Sequence, residues 1–417
     1  MKIMSLRGVR PILTGYLVIS FLFSYSCGPS YAALLNKDLP QREGVKLGSS
    51  NMIFHSAFSQ EEQYDSNVYL TDSDLRYDLV SIMNPSLGIE IPFRDNSISA
   101  DYDCNMVFFG HQVEQDHIDH RVRGLIDINL TDYKIEVKDM FRHFTDRSGS
   151  ENTARLKRDT NDLDAEISAE FERFGFRAGY SNSIEDYLTT DISFDPLTYE
   201  DRSTMRHDVM GELSYRFMPK TLFLLETDLG YVDYYNCSLV PNSWYTETVA
   251  GIKGEWFSRA NVNFKAGFRY QHYESSDLID DKPYIGPVLR GGFDYYITED
   301  DTLGVRAERT IYESTYDKMN YYNVNLIGFD YTHKFSDKLS VSAAGFYQIN
   351  LYPSETTENG KTGKRYDNFF GGSCGVRYDV RKWVSVEARY EYNQRISRFD
   401  TFDYADNLIS LRGTVGF

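Results

Sequence analysis

Long runs in which apolar and polar residues alternate constrain this chain more than any other feature of its sequence. After Trp383, the residues Val384, Val386, Ala388, Tyr390 and Tyr392 share one face of an extended strand. Ser385, Glu387, Arg389, Glu391 and Asn393 share the other. After Asn261, Val262, Phe264, Ala266, Phe268 and Tyr270 alternate with Asn263, Lys265, Gly267, Arg269 and Gln271. The last run sets Ile409, Leu411, Gly413, Val415 and Phe417 against Ser410, Arg412, Thr414 and Gly416. Period two puts each set on its own side of a sheet. A soluble β-sandwich shows the same alternation, but its strands average about five or six residues. The runs here suit tilted membrane strands of about 9–11 residues with extensions.

Short turns punctuate these runs at Arg94-Asp95-Asn96, Thr131-Asp132, Glu172-Arg173, Pro219-Lys220, Ser258-Arg259, Glu299-Asp300-Asp301, Ser336-Asp337 and Arg381-Lys382. Asp, Asn, Ser and Pro supply turn geometry at most of them. Between successive turns lie two strand-like runs joined by a longer polar segment. Such segments include Asp65 to Tyr77, Asp146 to Thr153, Ser181 to Ser203, Ser275 to Pro283 and Pro353 to Asp367. Nine hairpins, hence about eighteen strands, follow from this spacing. Short turns on one side and long loops on the other predict a single closed antiparallel transmembrane β-barrel over residues 49–417. The apolar phase of Tyr321 to Phe335 switches near Asn325, which predicts a bulge there. The run from Met52 is similarly ambiguous.

The first residues predict export. Lys2, Arg7 and Arg10 precede the apolar run Ile12 to Phe23, and Ser30-Tyr31-Ala32 resembles a cleavage site, so residues 1–32 read as a signal peptide. The apolar run is too short for about 30 Å of hydrocarbon. A lipoprotein with Cys27 modified is the second reading. Residues 33–48 read as a short periplasmic segment, and the destination as the outer membrane of a Gram-negative bacterium. No later stretch is long and apolar enough for a helical span. A mean hydropathy of −0.47 fits a barrel, because only alternate residues face lipid. The net charge of −18 argues against nucleic acid as a partner. Cys104, Cys237 and Cys374 are odd in number and widely spaced, with no zinc-like pair.

If the strand phases hold, the wet face carries Arg123, Arg177, Arg216, Lys265, Arg269, Arg290, Arg306, Arg377, Arg389 and Arg412. Glu212, Glu226, Asp228, Asp294, Glu308, Asp379, Glu387 and Glu391 share it. Such a wall can select hydrated solutes by charge, or its cross-strand pairs can simply hold the wall together. No one-sided Arg or Lys ladder marks an anion pore. Phe174, Phe176, Tyr180, Tyr215, Phe217, Trp256, Tyr295 and Tyr378 lie in the apolar phase and read as interface girdles. Tyr235, Trp244, Tyr245 and Tyr284 are loop-side candidates for sugar contact. The long segment Ser181 to Ser203 is the candidate for an inward constriction.

No metal or cofactor is expected. Asp277, Asp280 and Asp281, or Glu355 and Glu358, lack the ligand spacing of a calcium loop. His117 and His120 flank Asp119 in a loop, a weak candidate metal site whose ligands neighbouring strands would scatter. His55 and Ser56 point to opposite faces and cannot act together as base and nucleophile, so catalysis is not expected.

Tyr64-Asp65-Ser66-Asn67-Val68, followed by Asp72, Asp74 and Asn84-Pro85-Ser86-Leu87-Gly88-Ile89, resembles the opening of the outer-membrane β-barrel porin family associated with exopolysaccharide biosynthesis and export. The resemblance implies a barrel through which secreted polysaccharide passes, with polysaccharide and periplasmic export components as partners. Ala33 to Gly48 is too short for an adaptor domain, so a link to export machinery falls to another subunit or to the turns. The competing expectations are a general diffusion porin or nutrient channel, and a plugged structural or adhesive surface barrel. Outer-membrane lipid and the assembly machinery are partners in every case. The terminal aromatic Phe417, with Leu411 and Val415 in phase, resembles the signal that machinery recognises.

Overall fold

The computed structural model describes residues 44–146, 151, 155–189, 191–194, 196–279 and 281–416. The signal segment 1–32, most of 33–48, Asp280 and Phe417 lie outside the described residues. Eighteen long strands follow one another. They begin with β1 (Ile53–Asp65), β2 (Asp78–Phe93), β3 (Asn96–Phe109), β4 (His117–Asn129), β5 (Tyr133–Asp146) and β6 (Leu156–Glu170). The chain continues through β7 (Phe174–Tyr187), β8 (Thr204–Met218), β9 (Thr221–Asp233), β10 (Ser243–Phe257), β11 (Ala260–Tyr273) and β12 (Tyr284–Tyr296). It ends with β13 (Asp301–Glu313), β14 (Tyr321–Lys334), β15 (Leu339–Glu358), β16 (Lys361–Arg381), β17 (Val384–Ser397) and β18 (Tyr404–Gly416).

Each strand pairs antiparallel with the next, and β18 returns to β1 from Ala57–Gly416 to Asp65–Leu408, closing the barrel. Closure satisfies backbone groups that lipid cannot. Val45–Lys46 adds a two-residue bridge to Ile53 and Phe54 at the short-turn end.

Directly paired residues share a face, so the ladders carry the sequence pattern around the whole wall. Outward positions are large and apolar: Phe174 (64 % exposed), Phe268 (67 %) and Leu213 (60 %) belong to this face. Tyr215, Phe217, Tyr295, Trp256 and Tyr378 lie outward toward the short turns; Tyr64, Tyr180, Tyr231 and Trp244 lie outward toward the loops. These are the two girdles of a barrel in a bilayer. No helix among the described residues is long and apolar enough to cross a membrane; the strands make the crossing.

Two expectations are corrected. Pro353 to Asp367 is not a loop. Strands β15 and β16 extend beyond the rim as a hairpin, with Glu355 paired to Lys364 and Glu358 to Lys361. Asn359 (φ 48) and Gly360 (φ 77) form its two-residue turn, the left-handed geometry for which Asn-Gly is suited. The phase switch near Asn325 is not a bulge either. The β13–β14 ladder runs without interruption from Asp301–His333 to Glu313–Tyr321, and β14–β15 is equally regular. Instead the β12–β13 ladder stops at Leu289–Arg309. Beyond that row the tip of the β13–β14 hairpin leaves the wall and folds into the lumen. Its former outward face then meets the inner surface of the barrel: Tyr321 stacks on Tyr273 (6.0 Å) and packs edge-on to Tyr284 (5.2 Å).

Candidate functional site

The lumen is lined by paired charges. Toward the short-turn end these are wet: Arg123 and Asp101 (3.3 Å) are 46 % and 37 % exposed, and Arg377 meets Asp379 at 3.0 Å. Arg412 binds Glu61 (Nε–Oε2 2.6 Å) and sits opposite Glu387. Arg216 binds Glu170 (2.9 Å), Arg306 binds Asp294 (2.5 Å), and Arg389 binds Glu391 (2.7 Å).

At mid-height Arg177 gathers Glu166 (3.2 Å), Glu212 (2.7 Å) and Glu226 (2.9 Å), and Lys265 adds a second cation on Glu226 (2.6 Å). Glu247 holds Arg290 and, at 3.7 Å, Arg269. Arg290 faces Glu308 across the β12–β13 ladder, and Asp228 lies in the row between Met210 and Glu247. The sequence-predicted set therefore lies on inward positions, in mixed-sign clusters rather than a ladder of one sign.

At the long-loop end the lumen is filled. The hairpin tip Ser314–Asn320 crosses it, packing Tyr316 and Met319 with Tyr322, Val324 and Tyr352. Arg365, with no exposed side-chain surface, binds Asp367 (Nη2–Oδ2 2.7 Å) and donates to the Glu151 carbonyl (2.7 Å). Its guanidinium stacks on Phe402 (3.6 Å), Tyr316 (4.4 Å) and Tyr352 (4.7 Å). Glu151, from the β5–β6 loop, accepts from Ser314 Oγ (2.6 Å), Thr315 N (2.8 Å) and Thr315 Oγ1 (3.1 Å). Arg202 donates to the carbonyls of Ser314 (3.4 Å) and Asp317 (2.7 Å). Glu313 accepts from Gln271 (2.8 Å) and Tyr234 (3.3 Å) on the far wall.

Ser181 to Ser203 thus supplies one clamp, Arg202, to a closure centred on a different loop; Ser181–Tyr187 is strand. Arg202, Arg365 and Glu151 were not singled out from sequence. The available signal was Tyr316 and Met319, two large apolar side chains in a loop tip, which a solvated loop does not need.

Burial raises the Glu151 carboxyl above its ordinary value of 4.5, against the opposing pull of its hydrogen bonds and Arg365. A raised folded value means that protonation favours the closed arrangement: its contribution is present below about 4.5 and is lost as pH rises through the folded value. Arg365, Arg202, Tyr199 and Tyr352 are charged or titratable groups that face it. Bilayer conductance is therefore expected to rise between acid and neutral pH, with the midpoint above 4.5. Glu151→Gln should flatten that dependence; an unchanged pH profile would remove Glu151 from the closure.

The sugar-contact candidates separate. Tyr245 is buried under Arg269, whose guanidinium sits 3.6 Å from the ring centroid, and Tyr284 is buried by the inward hairpin. Trp244 faces outward beside Tyr270 (5.4 Å). Only Tyr235 is an exposed loop residue, bonded to Asp186 (3.1 Å). His117 lies 3.8 Å from Asp119, whereas His120 turns to Tyr102 (2.9 Å), so the three do not converge.

The Tyr64–Val68 segment has a structural role. Above the last β1–β18 pair, Ser66 N donates to the Asn407 carbonyl (3.0 Å) and Ser66 Oγ to Asp406 (3.1 Å). Asn67 Nδ2 bridges the carbonyls of Thr71 (2.8 Å) and Ala405 (3.0 Å), its own N–H is capped by Asp65 (2.9 Å), and Val68 is buried. The motif clasps the first strand to the last at their loop ends.

A closed barrel with apolar exterior, aromatic girdles and charged lumen defines an outer-membrane, porin-like β-barrel protein. The family described as "Putative beta-barrel porin 2" matches residues 40–417, and the chain belongs to it. No curated protein matches. Among solved structures, similar ones include OpdK from Pseudomonas aeruginosa (9 % identity, TM-score 0.45, covering 87 % of this chain and 99 % of that one). OccAB4 from Acinetobacter baumannii has 12 % identity and a TM-score of 0.47 (87 % and 98 % covered). The FrpB iron transporter from Neisseria meningitidis has 8 % identity and a TM-score of 0.45 (82 % and 62 % covered). At these values the likenesses carry no functional argument.

Proposed function

We propose that the protein is a selective diffusion channel for small hydrophilic solutes, exported with removal of residues 1–32 and inserted by the outer-membrane assembly machinery. The carrying observation is the uneven packing of the lumen. On one side Arg269, Arg365, Glu247 and Asp367 are at most 2 % exposed. On the other, along β3–β6, Arg121 (40 %) and Arg142 (24 %) keep water contact, each paired with an acid, Asp103 (2.8 Å) and Asp162 (3.0 Å). A narrow passage bordered by both signs suits small polar or zwitterionic solutes.

The exopolysaccharide reading rests on the Tyr64–Val68 resemblance, and that segment is engaged in closing the barrel rather than facing a bore. A polymer conduit needs a continuous wide lumen, and the Ser314–Asn320 tip crosses it. No covalent chemistry, cofactor or nucleic acid enters this reading.

Liposome swelling tests it. Swelling is expected with amino acids and monosaccharides and should fall steeply with oligosaccharides. Equal passage of long oligosaccharides, or loss of secreted polysaccharide on deleting the gene, would overturn it in favour of export.

A further inference from the structure

Against the inward hairpin tip lies a small polar cavity. The wall contributes two inward rows of the β7–β8 ladder, Ser183 opposite Arg206 and Glu185 opposite Thr204. Ser314 and Thr315 of the tip border it, as do Arg202, two residues before β8, and Tyr234 and Glu313. The acids of this lining are already served. Glu185 is bonded by Arg158. Glu313 takes Gln271 (2.8 Å) and Tyr234 (3.3 Å), and Arg206 stands 3.9 Å from it.

Arg202 is different. It is 1 % exposed, no acid among the described residues lies within salt-bridge distance of it, and its buried Nε has no hydrogen-bond partner among them. Its Nη groups reach backbone carbonyls alone, Ser314 (3.4 Å) and Asp317 (2.7 Å). Glu151, whose charge it feels, gives its oxygens to Ser314 and Thr315 instead. A buried guanidinium without a counterion is costly, and burial pulls this one below its ordinary value. In a lumen whose arginines are mostly matched by acids, this one is matched by none.

We propose that this cavity is a binding site for one small monocarboxylate, its oxygens shared between Arg202 Nε and the Arg206 guanidinium, with the Thr204 hydroxyl beside them. A carboxylate brings the full negative charge that Arg202 lacks, and its two oxygens suit donors arriving from two different elements. Glu185 and Glu313 in the same lining repel a dianion, which sets phosphate and sulfate aside. The bound anion also ties Arg202, a clamp on the tip, to the wall strand β8. Two sources share this chemistry: a free short-chain acid, and the carboxylate end of a small zwitterion whose ammonium turns to Glu313.

Saturation-transfer NMR on the full-length protein in a non-ionic detergent, with sodium acetate as the probe, tests the site. Saturable transfer to acetate is expected in the unaltered protein. Arg202→Gln should weaken binding about tenfold or more, the scale of losing a charge-assisted hydrogen bond. Arg202→Lys should keep part of it, and Lys220→Gln, which removes an exposed cation at the opposite end of the barrel, should leave it unchanged. Heat-modifiable gel mobility verifies that each variant is folded. Transfer to acetate alone identifies a free acid; stronger transfer to glycine identifies a zwitterion; either supports the site. No transfer to either probe in the unaltered protein, transfer insensitive to Arg202→Gln, or displacement by chloride at concentrations below those at which acetate binds overturns it. Binding is read without transport, so the site stands or falls independently of selective diffusion.

Discussion

Replacing Ser314–Asn320 by a two-residue Asn-Gly turn is expected to raise single-channel conductance severalfold. The graft is geometrically mild: Glu313 and Tyr321 are already paired partners, and a two-residue left-handed turn is the usual link between such partners. What it removes is the material crossing the lumen. Arg202 loses both carbonyl acceptors, Glu151 loses Ser314 and Thr315, and Arg365 loses the Tyr316 face while keeping Asp367 and Phe402. None of these changes touches a wall ladder, so the barrel should assemble and remain heat-modifiable. An eighteen-stranded barrel without an inward segment encloses an aqueous channel, and ion flow scales with the bore thus opened. Planar-bilayer recording of the variant beside the parent decides the matter. Unchanged conductance would mean that ions already bypass the tip along β3–β6, and the closure would lose its role in gating flow.

The contrast between wall and closure follows from what each depends on. Whether Lys265 or Phe264 faces the lumen is settled by a two-residue period acting locally, and the ladders merely propagate it. The turn at Ser258-Arg259 is likewise a property of a few neighbouring residues. The direction taken by Ser314–Asn320 is not local. It depends on Arg365, Tyr352 and Glu151, which are distant in sequence and near only once the barrel has closed. Even so, three marks of that event were present: the apolar phase switch at Asn325, Pro287 inside a barrel strand, and Tyr316 with Met319 in a loop. Each looks like a small irregularity alone, and the first by itself suggests a bulge. They have one cause, a hairpin that leaves the wall. Asn359-Gly360 was a plainer signal, and a segment rich in polar residues disguised it as loop. Tyr245 and Tyr284 were misplaced for a related reason: at a strand's end, phase decides the face, but only the fold decides what covers it.

Glu247→Gln is expected to destabilise the barrel by about 3–5 kcal/mol, the cost of leaving buried charge without its counterion. Glu247 has no exposed side-chain surface, and neither Arg269 (2 %) nor Arg290 (11 %) can turn to bulk water. Arg269 keeps Gln271 Oε1 (2.7 Å) and the ring of Tyr245, neither of which carries a full negative charge. Arg290 can lean to Glu308 across the β12–β13 ladder, which places the larger share of the loss on Arg269. The control is Arg123→Gln at the wet end, where both partners are over a third exposed and about 0–1 kcal/mol is at stake. Midpoints of urea unfolding, followed by loss of heat-modifiable mobility, give the comparison directly. If the two variants unfold alike, water reaches Glu247 and the lumen is open at that level. A double substitution, Glu247→Leu with Arg269→Met, separates charge from packing. It removes the ion together with its counterion, and well-packed apolar replacements of a buried pair are often neutral or better. Recovery of most of the lost stability in that variant would show that the cost of Glu247→Gln lies in the stranded guanidinium rather than in altered shape.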